Sequence, residues 1–176
     1  MMGEIYEREL KNLLCGDEKA LHKMTRTGDA DEKNGYMLLK DNPFLVIRAA
    51  GSLGVDIVAL RWDFSFPIEV KSSQTDVLRF SSNPRLSEQA DRMAEDCSRS
   101  CLIPMYAFRL KGFKGDPWRV FSLPMERELE GRMGMLQRRI PPIERNQNGN
   151  YIMRWQDGLK LSKLLSYLDY VSGTLE

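Results

Sequence analysis

The sequence predicts an α/β fold: one domain on a central mixed five-stranded β-sheet flanked by helices. Three observations carry this. Amphipathic helical patterns open and close the chain, at residues 3–15 and 159–171. Five short apolar runs, at 44–48, 55–61, 64–71, 102–110 and 118–123, read as strands. A strong helical repeat at 84–101 separates the third run from the fourth. The order α, β-β-β, α, β-β, α is that of a mixed sheet with helices on its faces.

Tyr6, Leu10, Leu13 and Leu14 form one apolar stripe on the first helix, and Glu7 lies at its border. Residues 16–42 are polar and punctuated by glycine, and read as an excursion: a helix extension, a long loop or a partly disordered stretch. FLVIR at 44–48 is a strand, and AAGSLG after it must turn. In the central helix, Leu86, Ala90, Met93, Ala94, Cys97 and Cys101 recur at helical spacing; Asn83 suits the cap and Pro84 the first turn. GFKGDP joins the fourth and fifth strands. Residues 125–149 are charged and contain Gly131, Gly134, Pro141 and Pro142, which fits a short helix at 126–139 and then a loop. YIMRW at 151–155 is strand-like, and Leu161, Leu164, Leu165 and Leu168 mark the closing helix.

Composition narrows the function classes. The 176 residues, 42% hydrophobic and 29% charged, suffice for one core. No apolar run approaches the ~18 residues of a spanning helix. The N-terminus is charged from its fourth residue and lacks the apolar core of a signal peptide, so a cytoplasmic protein without a membrane partner is expected. A net charge of +1 neither demands nor excludes a nucleic-acid partner. Three cysteines, Cys15, Cys97 and Cys101, are expected as free thiols, the last two as small buried residues. The single histidine, His22, excludes a Ser-His-Asp triad, a His-Cys zinc site and an HNH-type nuclease. Catalysis must then rest on carboxylates, lysines, hydroxyls or thiols.

The stretch GVDIVALRWDFSFPIEVKSS, residues 54–73, puts three ionisable groups into the best core-forming part of the chain. A β-hairpin with its loop at Trp62-Asp63 opposes Asp56 to Glu69, because opposed residue numbers in an antiparallel pair share a constant sum. Directly opposed residues have Cβ atoms ~4.5–5.5 Å apart on one face. Lys71, two residues on, emerges on that face as well. A four-residue loop leaves the pairing unchanged, whereas a bulge shifts it by one. Two close carboxylates repel, and each buried ion costs several kcal/mol unless compensated. A hard dication such as Mg²⁺, which prefers carboxylate and carbonyl oxygens, offsets the charge that Lys71 leaves. The competing reading is a structural hairpin with a buried Asp-Lys or Glu-Lys ion pair.

An acid followed on the next strand by Glu-X-Lys resembles the PD-(D/E)XK nuclease superfamily. YEREL at 6–10 resembles the first-helix motif of archaeal Holliday junction resolvases. FLVIRAAGSLGVDIVAL at 44–60 is similar to their strand-turn-strand segment, and IEVKSS at 68–73 to their third strand. The later strands and DGLKLSKLL are similar too, so the resemblance spans roughly two-thirds of the chain. It implies a restriction-endonuclease-like fold and a homodimer with two sites. It also implies a Mg²⁺ cofactor for which Mn²⁺ substitutes, and paired nicks in a four-way DNA junction during recombination and repair. Carried over, Glu7, Asp56, Glu69 and Lys71 are the catalytic positions, with Ser52 on the turn toward the scissile phosphate. Asp56, Glu69, the Val70 carbonyl and Glu7 are the metal positions. Arg8, Arg48, Ser52 and Ser72 lie toward the DNA backbone.

Val55 stands where the family has proline, and segments 16–42 and 125–149 read as insertions in a single nuclease domain, 1–176. Further DNA-contact candidates are Arg109, Lys111, Lys114 and Arg119 and the pair Arg138-Arg139. Two rival functions remain: a PD-(D/E)XK endonuclease for flaps, mismatches or duplex sites, and a catalytically silent junction-binding protein.

Overall fold

Helix α1 (Met2–Leu14) forms on the predicted stripe, with Leu10, Leu13 and Leu14 buried, in a computed structural model that describes residues 2–49 and 54–173. Ser52 and the turn around it lie outside the described residues.

The polar segment 16–42 is two helices, α2 (Glu18–Thr25) and α3 (Ala30–Asp41). Each begins on an aspartate. The Asp17 side chain accepts the Ala20 N–H at 2.8 Å. Asp29 and Glu32 form a reciprocal capping box at 2.8 and 3.1 Å. Leu21, Tyr36 and Leu39 carry these helices into the core. The segment is helical but is not an extension of α1, which ends at Leu14; it is neither a long loop nor disordered, and none of the three readings anticipates two separately capped helices.

Strands β1 (Leu45–Arg48), β2 (Ile57–Leu60) and β3 (Ser65–Ser73) form an antiparallel meander. After the short β4 (Val77–Arg79), helix α4 (Pro84–Ser100) crosses over, capped by Asn83 with Pro84 in its first turn. The crossover returns the chain to β5 (Met105–Leu110), which pairs parallel to β3. β6 (Trp118–Ser122) then runs antiparallel to β5. Helix α5 (Gly131–Arg139) starts later than predicted, and is followed by β7 (Glu144–Arg145), β8 (Tyr151–Arg154), β9 (Leu159–Lys160) and helix α6 (Leu161–Gly173).

The main sheet is mixed and six-stranded, in the order β1-β2-β3-β5-β6-β9. The five predicted strands are all in it. The sixth, β9, has two residues, too few to show a periodicity. YIMRW supplies β8, the centre of a separate three-stranded sheet, β4-β8-β7.

Alternation along the strands divides the core. Ile57, Ala59, Phe66, Ile68, Met105, Ala107 and Val120 belong with α1, α3 and α6. Tyr106, Phe108 and Phe121 face the other way, into a second cluster with Ala90, Met93 and Cys97 of α4 and with Tyr151 and Met153. The three cysteines are free thiols. Cys97 is buried as expected, but Cys101 is exposed, because the helix ends on it in a left-handed conformation with φ 55°.

Candidate active site

The β2–β3 hairpin keeps the predicted register. Ile57 opposes Ile68 and Leu60 opposes Ser65, so the loop is centred on Trp62-Asp63. The Arg61 N–H donates to the Phe64 carbonyl at 2.9 Å and closes it. Trp-Asp is a poor tight-turn pair. It holds here because Asp63 is pinned from both sides. Arg61 bridges it at 2.6 Å, and the Ser172 hydroxyl of α6 donates to it. Arg61 also donates to the Asn42 carbonyl at 2.8 Å and stacks over Phe44. The turn is thereby tied to α3 and α6.

At the other end of β2 the register changes. The Asp56 N–H donates to the Ile68 carbonyl at 3.1 Å, so Asp56 and Ile57 both address Ile68. This is a bulge, and it displaces Asp56 by one residue from direct opposition to Glu69. The carboxylate nevertheless turns toward β3: its Oδ2 accepts the Val70 N–H at 2.7 Å. Peptide groups two apart on a strand point the same way, so the Val70 carbonyl also faces the β2 side.

Glu69 and Lys71 emerge together on the α4 face of β3, and the Lys71 Nζ lies 2.6 Å from Glu69 Oε1. Gln89 of α4 donates to the same oxygen at 3.2 Å. Glu69 is 4% exposed, and its Oε2 is buried with no hydrogen-bond partner. Burial pushes the Glu69 carboxyl up to about 7; the Lys71 charge opposes this and the nearby Asp56 carboxylate adds to it. Tyr106, beside Glu69 on β5, is held protonated by burial and then by the Glu69 and Asp56 charges. Glu69 and Lys71 thus share one face, and the Asp56 carboxylate, bound to the Val70 N–H, lies near enough to act on the Glu69 charge.

A buried, unpaired carboxylate oxygen costs about 1–3 kcal/mol, and more when ionised. A cation against Oε2 removes that cost. Mg²⁺ is commonly held by one or two carboxylates with waters completing its shell, and Asp56 with Glu69 fits that donor set. Among the described residues no three His, Cys, Asp or Glu side chains converge on one point. Glu7 is engaged elsewhere: it pairs with Arg48 at 3.0 Å, joining α1 to the end of β1.

The remaining candidates are dispersed. Ser72 alternates with Glu69 and Lys71 and points to the opposite face. Arg8 lines a groove between α1 and α2. Arg109 is bound to Glu9 at 2.6 Å and lies over Tyr6. Arg119 is buried over Trp155 and donates to the Asp116 and Trp118 carbonyls, so it is not available to DNA. Arg139 lies over Tyr167.

Sequence reasoning missed Gln89 and Tyr106. Gln89 sits beside the buried Ala90 with nothing local to mark it. The one hint is Gly54, at φ 69°, where an added Cβ would lie 2.9 Å from the Gln89 side chain.

No protein-family model matches the sequence, and no curated protein matches it. Among solved structures, the chain is similar to Archaeoglobus fulgidus Hjc, a Holliday junction resolvase from an archaeal hyperthermophile. The two share 21% identity over 70% of this chain and 82% of that one, with a TM-score of 0.48.

Proposed function

We propose that this chain is a metal-dependent endonuclease that nicks four-way DNA junctions and acts as a homodimer. The observation that carries the nuclease reading is the buried Glu69 carboxylate, held by Lys71 through Oε1 and left without a partner at Oε2, with the Asp56 carboxylate near enough to act on its charge. The resolvase-like motifs YEREL, FLVIRAAGSLGVDIVAL and IEVKSS support the junction as substrate.

Asp56, Glu69 and the Val70 carbonyl would hold Mg²⁺. Bound there, it supplies Lewis-acid polarisation of a phosphoryl oxygen and lowers the pKa of a water. The chain's own groups do the rest. Asp56 is aimed by the Val70 N–H, and Glu69 by Lys71 and Gln89. The Lys71 ammonium, held by Glu69, donates to phosphoryl oxygens as negative charge builds on them. Tyr106, kept neutral, adds no charge to the site. With Glu7 on Arg48, the chain's acids suit one cation better than two. Arg48, exposed at the end of β1, is then a phosphate contact oriented by Glu7.

An apolar strip supports the dimer. Leu45 and Ile47 of edge strand β1 are 66% and 51% exposed, opposite Leu60 and Val58. They lie on the sheet face that Glu69 and Lys71 share. Such a strip suits a second copy better than a phosphate backbone, and a two-fold junction needs two sites.

The test is nicking of a labelled four-way junction with Mg²⁺, with and without chelator. Nicking should require Mg²⁺. Lys71→Ala should abolish it while DNA binding persists. Equal cutting of linear duplex would overturn the junction assignment, and undiminished cutting by Lys71→Ala would remove Lys71 from the mechanism.

A further inference from the structure

We infer that the groove between α1, α2 and the β5–β6 connection binds a single-stranded segment of nucleic acid. The groove encloses about 580 Å³ on the α1 side of the sheet, away from the face of Glu69 and Lys71. Its rim carries Arg8 from α1 and Lys19 and Lys23 from α2. None of these three has an acidic partner at ion-pair distance among the described residues.

The acids of the groove are committed. The Asp17 side chain caps α2 through the Ala20 N–H. Glu9 is held by Arg109 at 2.6 Å and by the Trp118 indole N–H at 3.0 Å. With Arg8, Lys19, Lys23 and Arg109 against Glu9 and Asp17, the groove carries an excess of positive charge complementary to a polyanion.

Two apolar side chains choose between kinds of polyanion. Ile5 is 51% and Phe113 42% exposed within the same groove. Phe113 rests against Trp155, ring centroids 4.6 Å apart and planes tilted by 54°, so its ring is braced by a second aromatic while much of it stays exposed. Cations that track phosphates, beside an aromatic ring that takes an unstacked base, are the arrangement single strands use. A duplex keeps its base faces stacked on one another and leaves such a ring without a stacking partner. The segment 16–42 thereby acquires a role: α2 supplies two of the three cations.

The inference needs neither a metal nor cleavage, so its test runs in chelator with a labelled oligothymidylate and a duplex of equal length, read by fluorescence anisotropy across a salt series. The Lys19→Glu/Lys23→Glu variant changes two exposed side chains, and circular dichroism checks its fold. It should lose at least tenfold in single-strand affinity at low salt. The slope of log K against log salt should fall by about 0.7 per cation removed. Phe113→Ala should weaken the single strand about fivefold or more and the duplex much less. Arg8→Glu gives the same charge test on another helix should the double variant misfold. Unchanged affinity and slope in the charge variants would overturn the groove as a site. Equal losses on single strand and duplex, or none, in Phe113→Ala would overturn the single strand as its occupant. Loss of junction nicking with these affinities intact would bear on the nuclease reading alone.

Discussion

Glu69→Gln gives the most quantitative prediction. In the metal-free protein the Glu69 carboxyl ionises near 7, against an ordinary 4.5, chiefly because it is buried. The sign follows from linkage. A carboxyl whose pKa is raised on folding contributes stability that is complete below its unfolded value and is lost as pH rises through its folded value. The difference of roughly 2.5 pH units corresponds to about 3 kcal/mol. Wild-type protein in chelator should therefore lose about 3 kcal/mol, relative to Glu69→Gln, between pH 4.5 and pH 8.5. Glutamine has no proton to exchange, and the titrating groups that do not interact with Glu69 cancel in the difference; the Lys71 and Asp56 charges are already contained in the folded value of Glu69. Urea denaturation at a series of pH values measures it. Parallel stability curves for the two proteins would refute the reasoning. Mg²⁺ should restore wild-type stability at pH 8.5 and leave Glu69→Gln little changed.

Two further perturbations reach beyond the site. Asp63→Asn removes the partner of a nearly buried Arg61 and should cost about 3 kcal/mol at neutral pH, measured by urea denaturation. Burial raises the Asp63 carboxyl, but the Arg61 and Ser172 hydrogen bonds outweigh it and the net shift is downward. Its contribution is thus present at neutral pH and lost as the solution is acidified, so the gap between Asp63→Asn and wild type should close in acid. Leu45→Asp with Ile47→Asp places charge on the apolar strip. Light scattering should show a dimer become a monomer with its helical content unchanged; a dimer that survives both changes would place the interface elsewhere.

The hairpin was legible because its information is local. Alternation from Ile57 to Ile68 sets the faces, and the two-residue loop sets the register, so Glu69 and Lys71 fall on one face by counting alone. Asp56 was only half legible. Its side chain reaches the β3 backbone at Val70, beside Glu69, but through a bulge that no residue type announces. Helices α2 and α3 carried a readable signal: Asp29 and Glu32 stand at capping-box spacing, obscured by the glycines and polar residues around them. Gln89 and the β4-β8-β7 sheet depend on contacts between distant segments, 20 residues apart in one case and more than 70 in the other, and local pattern has no access to these. Glu7 shows the converse. A motif placed it correctly on α1, but Arg48, 41 residues away, decides what its carboxylate touches.

The proposed chemistry requires Asp56 and Glu69 to hold a divalent cation together. Calorimetric titration of the chain with Mn²⁺ at pH 8 tests this most directly. It should show one site per chain in the wild type, retained in Lys71→Ala and lost in both Asp56→Asn and Glu69→Gln. Saturable binding that survives either carboxylate change, or no binding by the wild type, would contradict it.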